Sequence, residues 1–179
     1  MNLILIGMKH CGKSTLGAKL AQRWNCAFYD VDQRIEENYA CQTAVPRKVR
    51  EIFTEDGEEE FHKAETQVVC ELAMKLERSS ERHVVAVGGR TVLNETNRRL
   101  LGDLGQMVYL QVDPRELYRR IARSGLPPFL NPSDPEGDFL RLCREREPQY
   151  LGIADLVVNL DGMDIEQALD TLIERLNEM

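Results

Sequence analysis

Apolar residues in this chain gather into short runs of strand length, separated by stretches where they recur every three or four positions. The runs are Leu3–Ile6, Ala27–Tyr29, Val84–Val87, Met107–Val112 and Leu156–Val158. Helical spacing follows the first in Ser14–Arg23, with Leu16, Leu20 and Trp24 on one stripe. It follows the third in Asn94–Leu104, the fourth in Pro114–Arg123 and the fifth in Ile165–Leu176. Asp113 and Pro114 read as the start of a helix with proline in its first turn. Strands alternating with helices imply βαβ units and a parallel sheet covered on both faces. The pattern predicts one three-layer α/β domain over residues 1–179, with about five strands.

Two segments interrupt the alternation. Residues 32–77 form a long helical insertion carrying IFTEDGEEEFHKAE. Residues 124–137, SGLPPFLNPSDPEG, are too rich in proline and glycine for regular helix or strand. A segment of that kind in a small domain is more often functional than accidental, and in an enzyme it serves as a lid. Composition narrows the field further: 42% of residues are hydrophobic and 30% charged, as in a globular protein. No apolar stretch is long enough to span a membrane, and the apolar start has no cationic region before it. A net charge of −7 argues against nucleic acid as a partner, so any phosphate must be met locally. The five cysteines form no CxxC, which predicts reduced thiols in a cytoplasmic protein.

Gly7-Met8-Lys9-His10-Cys11-Gly12-Lys13-Ser14 fits G-x-x-x-x-G-K-[ST] at every fixed position. It lies straight after a strand and straight before a helix, where the backbone N–H groups and the helix N-terminus can cradle phosphate. Residues 7 and 10–15 are therefore candidate nucleotide ligands. Lys13 would reach the β- and γ-phosphates, and the Ser14 hydroxyl one Mg²⁺ position. The next strand ends in Asp30-Val31-Asp32, where alternation places both carboxylates on one side of an extended backbone. One can hold Mg²⁺ through water and the other can orient an acceptor hydroxyl. Alternatively Asp32 caps the following helix. Gly88-Gly89-Arg90 closes the third strand, and paired glycines there let a ligand approach the backbone. Arg141, Arg144 and Arg146 follow the lid segment; spacing alone does not choose among them as a carboxylate or phosphate ligand.

Phosphate loop, Asp-x-Asp, I-F-x-x-x-G-E-x-x-F, a Gly-Gly strand end, a proline-containing lid and R-x-P-x-Y occur in one order. That order resembles the shikimate kinase family, within the nucleoside-monophosphate-kinase-like group of P-loop proteins, over essentially the whole chain. The resemblance implies a P-loop kinase fold and Mg²⁺-dependent transfer of phosphate from ATP to the shikimate 3-hydroxyl, on the route to chorismate and the aromatic amino acids. By motif, Asp30 would support Mg²⁺, Asp32 would bind the acceptor hydroxyls and Lys13 would act on the phosphates. Gly89 would offer its backbone to the acceptor, Arg146 would pair with its carboxylate, and Arg120 would lie against adenine. The resemblance also implies a monomer.

Four positions depart from the family pattern. His10 stands where a loop glycine is expected, His62 replaces the arginine that clamps the carboxylate, Arg90 replaces a third glycine, and Pro127 falls at the lid arginine. Arg90 and His62 are then candidates to meet the acceptor carboxylate, and His10 and Lys9 to supply the charge lost from the lid. A P-loop kinase of another hydroxylated acid, a sugar or a nucleotide fits the same residues. So does a nucleotide-binding module with little transfer activity.

Overall fold

The computed structural model describes residues 1–127 and 129–178; Pro128, inside the expected lid, and Met179 lie outside the described residues. Among the described residues five strands form one parallel sheet: β1 (Asn2–Ile6), β2 (Ala27–Asp30), β3 (His83–Ala86), β4 (Gly105–Gln111) and β5 (Leu156–Asn159). Their order is β2-β3-β1-β4-β5. Every residue of β1 and β3 is buried, as a sheet covered on both faces requires. The covering helices are α1 (Lys13–Trp24), α2 (Val31–Thr43), α3 (Val49–Glu55), α4 (Glu58–Glu77), α5 (Glu95–Leu104), α6 (Pro114–Ser124), α7 (Pro135–Ile153) and α8 (Ile165–Asn177). Among the described residues no helix is long and apolar enough to cross a membrane. The chain winds to one side of β1 through β2 and β3 and to the other through β4 and β5. The loops after β1 and β3 therefore emerge side by side at the carboxyl edge, where open α/β sheets bind ligands.

The element boundaries follow from local chemistry. Asp113 accepts hydrogen bonds from the backbone N–H of Arg115 and Glu116, both at 3.0 Å, and Pro114 fills the first turn of α6. The same device starts α7: Asp134 accepts from Gly137 N at 3.0 Å and Pro135 follows. The irregular segment therefore ends at Asp134, and residues 135–137, expected to be irregular, are helical. A second correction concerns Asp-x-Asp. The strand stops at Asp30, whose carboxylate caps α2 by accepting from Gln33 N at 3.3 Å. Asp32 consequently sits on the first turn of a helix, and strand alternation does not govern where it points. The cap belongs to Asp30.

Helix α1, which carries the phosphate loop's lysine, is pressed against the sheet at Gly17. A Cβ there would lie 2.5 Å from Phe28 Cε2 and 3.1 Å from Leu5 Cδ1. Gly17→Ala should force the Phe28 ring aside and cost about 1–3 kcal/mol. Thermal denaturation should show Tm lowered by roughly 3–10 °C; an unchanged Tm would mean that the α1–sheet contact is looser than described.

Candidate active site

The loop after β1 is closed on itself. Gly7 adopts φ +137°, and a Cβ on it would stand 2.8 Å from the carbonyl oxygen of Leu110, so a side chain is excluded on both counts. Lys13 is buried, and its Nζ donates to Gly7 O at 2.9 Å and to Met8 O at 2.8 Å, with Cys11 Sγ at 3.6 Å. The ammonium thus templates the loop that presents the N-terminus of α1 to a phosphate. Around it opens a cleft of about 870 Å³, lined by residues 9–16, Asp30, Asp32 and residues 87–89. Its far wall is Arg120 on one side and Leu160, Met163 and Ile165 on the other. These three apolar residues after β5 were missed in the sequence. They are what an aromatic base needs beside a charged phosphate site, but only the fold brings them there.

Arg120 is committed to the loop: its guanidinium pairs with Glu116 and donates to His10 O at 3.1 Å. His10 itself holds φ +65°, a left-handed conformation costly for a side-chain-bearing residue. Its Nε2 lies 3.3 Å from Ser124 Oγ at the end of α6, which ties the phosphate loop to the start of the proline-rich segment. Burial, then the charges of Lys9, Lys13 and Arg120, push its pKa down. In the free protein the ring is neutral at pH 7, so the charge expected of His10 is not there.

A second, much smaller cleft of about 130 Å³ adjoins the first and shares Lys9, Asp32, Gly88 and Gly89 with it. The two meet because the loop after β3 lies against the phosphate loop: a Cβ on Gly89 would be 3.3 Å from Lys9 N and 3.5 Å from Gly7 O. The buried Tyr150, one turn beyond Arg146 on α7, donates its hydroxyl proton to Gly89 O and fixes that loop. Asp32 sits at the junction. Burial, reinforced by the neighbouring Asp30 carboxylate and outweighing the attraction of Lys13, raises its pKa to about 6.

The rest of the small cleft is built from α3, α4 and α7. Phe53 and Phe61 meet edge to face with ring centroids 5.8 Å apart and form its apolar floor. Glu65 is buried; Thr91 donates to its Oε1 at 2.6 Å, while its Oε2 has no hydrogen-bond partner among the described residues. Three guanidinium groups face the cleft: Arg50, Arg90 and Arg146. Arg90 is paired with Glu58 at 2.5 Å. Arg146 is partly buried with no carboxylate within 4 Å among the described residues, and burial lowers its pKa. Arg141, by contrast, pairs with Asp138 on the outer face of α7.

His62 does not line this cleft. Its Nε2 is 3.3 Å from Glu58 and its Nδ1 3.5 Å from Glu65, so its ring is engaged by carboxylates of its own helix. The imidazole is too short to replace a guanidinium extending from that position. Pro127 does line the cleft and is buried there, an apolar wall where the family pattern has an arginine. Of the residues singled out in the sequence, Lys13, Ser14, Thr15, Asp30, Asp32, Gly89, Arg90, Arg120 and Arg146 come together around the two clefts. Arg50, Phe53 and Glu65 were missed. Phe61 and Glu65 share a helical stripe on α4, which was a signal, whereas Arg50 carried none.

A shikimate kinase family model matches residues 9–177. The chain belongs to the shikimate kinase family. It is 34% identical over 178 residues to the shikimate kinase of Dechloromonas aromatica, covering 99% of this chain and 91% of that one. To the enzyme of Bordetella avium it is 34% identical over 174 residues, covering 97% and 78%. Among solved structures, shikimate kinase from Acinetobacter baumannii in complex with shikimate superposes with a TM-score of 0.85 at 26% identity, covering 99% of this chain and 93% of that one. The enzyme from Bacteroides thetaiotaomicron gives 0.78 at 28% identity, covering 100% and 99%. The fold is thus the P-loop kinase fold, and membership makes the chain an ATP-using phosphotransferase that acts on an alcohol group.

The position of Asp32 has a thermodynamic consequence. Its pKa in the folded chain, about 6, lies above the ordinary 3.8. The group's contribution to stability is complete below the lower value and is lost as pH rises through the higher one. At pH 7.5 the ionised carboxylate therefore costs on the order of 1–3 kcal/mol. Asp32→Asn should raise Tm at pH 7.5 by several degrees, with the gain shrinking toward pH 4. An equal or lower Tm at pH 7.5 would show that Asp32 is not held in an unfavourable setting.

Proposed function

We propose that the chain transfers the γ-phosphoryl group of ATP to a hydroxyl of shikimate, as a monomer in which residues 1–179 form one catalytic unit. The observation that carries this reading is the shared wall. Asp32 lies in both clefts at once, so a hydroxyl it binds from the small cleft faces phosphates held in the large one. ATP occupies the large cleft, with its base against Leu160 and Met163 and its phosphates on residues 9–15. Lys13 then exchanges carbonyl partners for phosphate oxygens. The small cleft is far too small for a second nucleotide but suits one small hydroxylated acid. Glu65 Oε2, which makes no hydrogen bond and has His62 Nδ1 at 3.5 Å, can accept from a hydroxyl, and Arg146 calls for a carboxylate.

Asp32 accepts a hydrogen bond from the acceptor hydroxyl, aligns it for in-line attack and takes its proton as transfer proceeds. A carboxylate with a pKa near 6 is ionised at neutral pH yet basic enough for that role. Gly89 presents its backbone to the acceptor, held in place by Tyr150. Arg90, with its Glu58 partner, borders the acceptor on the α4 side. Ser14 and Asp30 bring hard oxygen donors to the phosphate cleft, a donor set that fits Mg²⁺ retaining several waters. Bound there through Ser14 Oγ and Asp30, Mg²⁺ would neutralise phosphate charge. Residues 32–77 supply the acceptor-binding elements, and 124–137 close over the clefts to exclude water. A different hydroxylated acid is the second reading, favoured by the engagement of His62 with Glu58 and by Pro127 on the acceptor wall.

Purified protein with Mg-ATP should release ADP only when millimolar shikimate is added. ATP binding without shikimate-dependent release would keep the kinase and discard this acceptor. Asp32→Asn should lower turnover about 10²–10⁴-fold while leaving ATP affinity near wild type. Because the base must be ionised, wild-type turnover should fall as pH drops through about 6. A profile flat to pH 5 would remove Asp32 from that role. Hydrogen exchange across 124–137 should slow when ATP and shikimate are both present; equal rates with and without them would dispose of the lid.

A further inference from the structure

Arg50 is the second residue of α3, one turn before Phe53, so the two share the face that forms the acceptor wall. Its Nη2 donates to the backbone oxygen of Leu126 at 2.9 Å, across 76 residues of sequence. Its Nη1 stands 3.3 Å from where a Cβ of Gly125 would be. One N–H of five is thus fixed to the segment immediately before Pro127, and the side chain lines the cleft beside it. Among the described residues no carboxylate lies within 4 Å of it.

The charges around the small cleft make this uncommitted cation significant. Arg90 is neutralised by Glu58. Arg146 shares the lining of the cleft with Asp32 and Glu65 and has no carboxylate within 4 Å among the described residues. Lys9 lies at the border with the phosphate cleft. Without Arg50 the cleft offers a carboxylate no net attraction on its outer side, because Pro127 there is apolar.

We propose that Arg50 is a specificity-determining residue: it supplies, from helix α3, the second guanidinium that binds the acceptor's carboxylate opposite Arg146. This rests on the reading of the acceptor as a small hydroxylated acid. The bidentate fork takes one or both carboxylate oxygens while the remaining N–H keeps its bond to Leu126 O. Carboxylate binding and the position of the 125–127 turn are then mechanically joined through one side chain.

The test is equilibrium titration of the full chain, loaded with Mg-ADP, by shikimate and by its neutral carboxamide. Arg50→Ala should weaken shikimate about 10- to 100-fold and leave the carboxamide unchanged. Arg50→Lys, keeping the charge without the fork, should fall between. If Arg50→Ala binds shikimate as tightly as wild type, or loses acid and carboxamide equally, the assignment is overturned while the kinase reading stands. If wild-type protein binds no shikimate, the acceptor reading falls and takes this one with it.

Discussion

The close approach of two backbones holds the two halves of this site together. The loop leaving β1 and the loop leaving β3 are neighbours because their strands are neighbours, and they touch at Gly7–Lys9 and Gly89. A side chain on Gly89 would press on Lys9 N, and one on Gly7 would strike Leu110 O. With both side chains absent, the large cleft and the small cleft share one thin wall. Everything else around the site secures that wall. Lys13 draws the first loop around its ammonium, Tyr150 grips the second by Gly89 O, and Thr91 orders Glu65 behind it. Phosphoryl transfer asks little covalent chemistry of a protein and a great deal of positioning, and a shared wall is positioning.

Asp32 shows what that arrangement costs. The first turn of α2 carries it to the junction of the clefts, where burial and the nearby Asp30 raise its pKa while Lys13 restrains the rise. A carboxylate chosen for stability would sit in water or beside a guanidinium. This one sits near the phosphate loop in a setting that disfavours its charge, which keeps it basic. His10 is a parallel case: a side-chain-bearing residue at φ +65°, neutral, and held through its own carbonyl by Arg120. Strain and desolvation both collect at the loop that meets the nucleotide.

How much of this the sequence disclosed depended on distance along the chain. The phosphate loop was legible because its strand, its glycines and its helix are contiguous, and all five strands and the alternating helices followed from periodicity. Asp30 and Asp32 were legible as a pair, but their geometry was not: the strand ends two residues earlier than alternation assumed, since Asp30 caps the helix. His62 was placed on the acceptor by motif position, yet its ring contacts Glu58 and Glu65 on its own helix and does not line the cleft. Arg50, Leu160 and Met163 lie far in sequence from the loops they face. Nothing local distinguishes an arginine in a short surface helix from any other. Only the packing of α3 against α4 reveals what it borders.

The departures at 62, 90 and 127 look like losses when each position is compared by itself, but binding depends on the field in the cleft and not on which element supplies it. The family pattern places its carboxylate-clamping arginine at 62, on α4, where this chain has a histidine turned to Glu58. A guanidinium on α3 is already in place beside the open cleft. Its bond to Leu126 O ties that helix to the segment before Pro127. Less then has to be ordered on binding, which favours affinity for the acid before closure. Pro127 and the exposed Phe129 present an apolar surface at that segment. An arginine on α3 beside the apolar Pro127 wall thus keeps a cation at the small cleft although His62 on α4 is turned to Glu58.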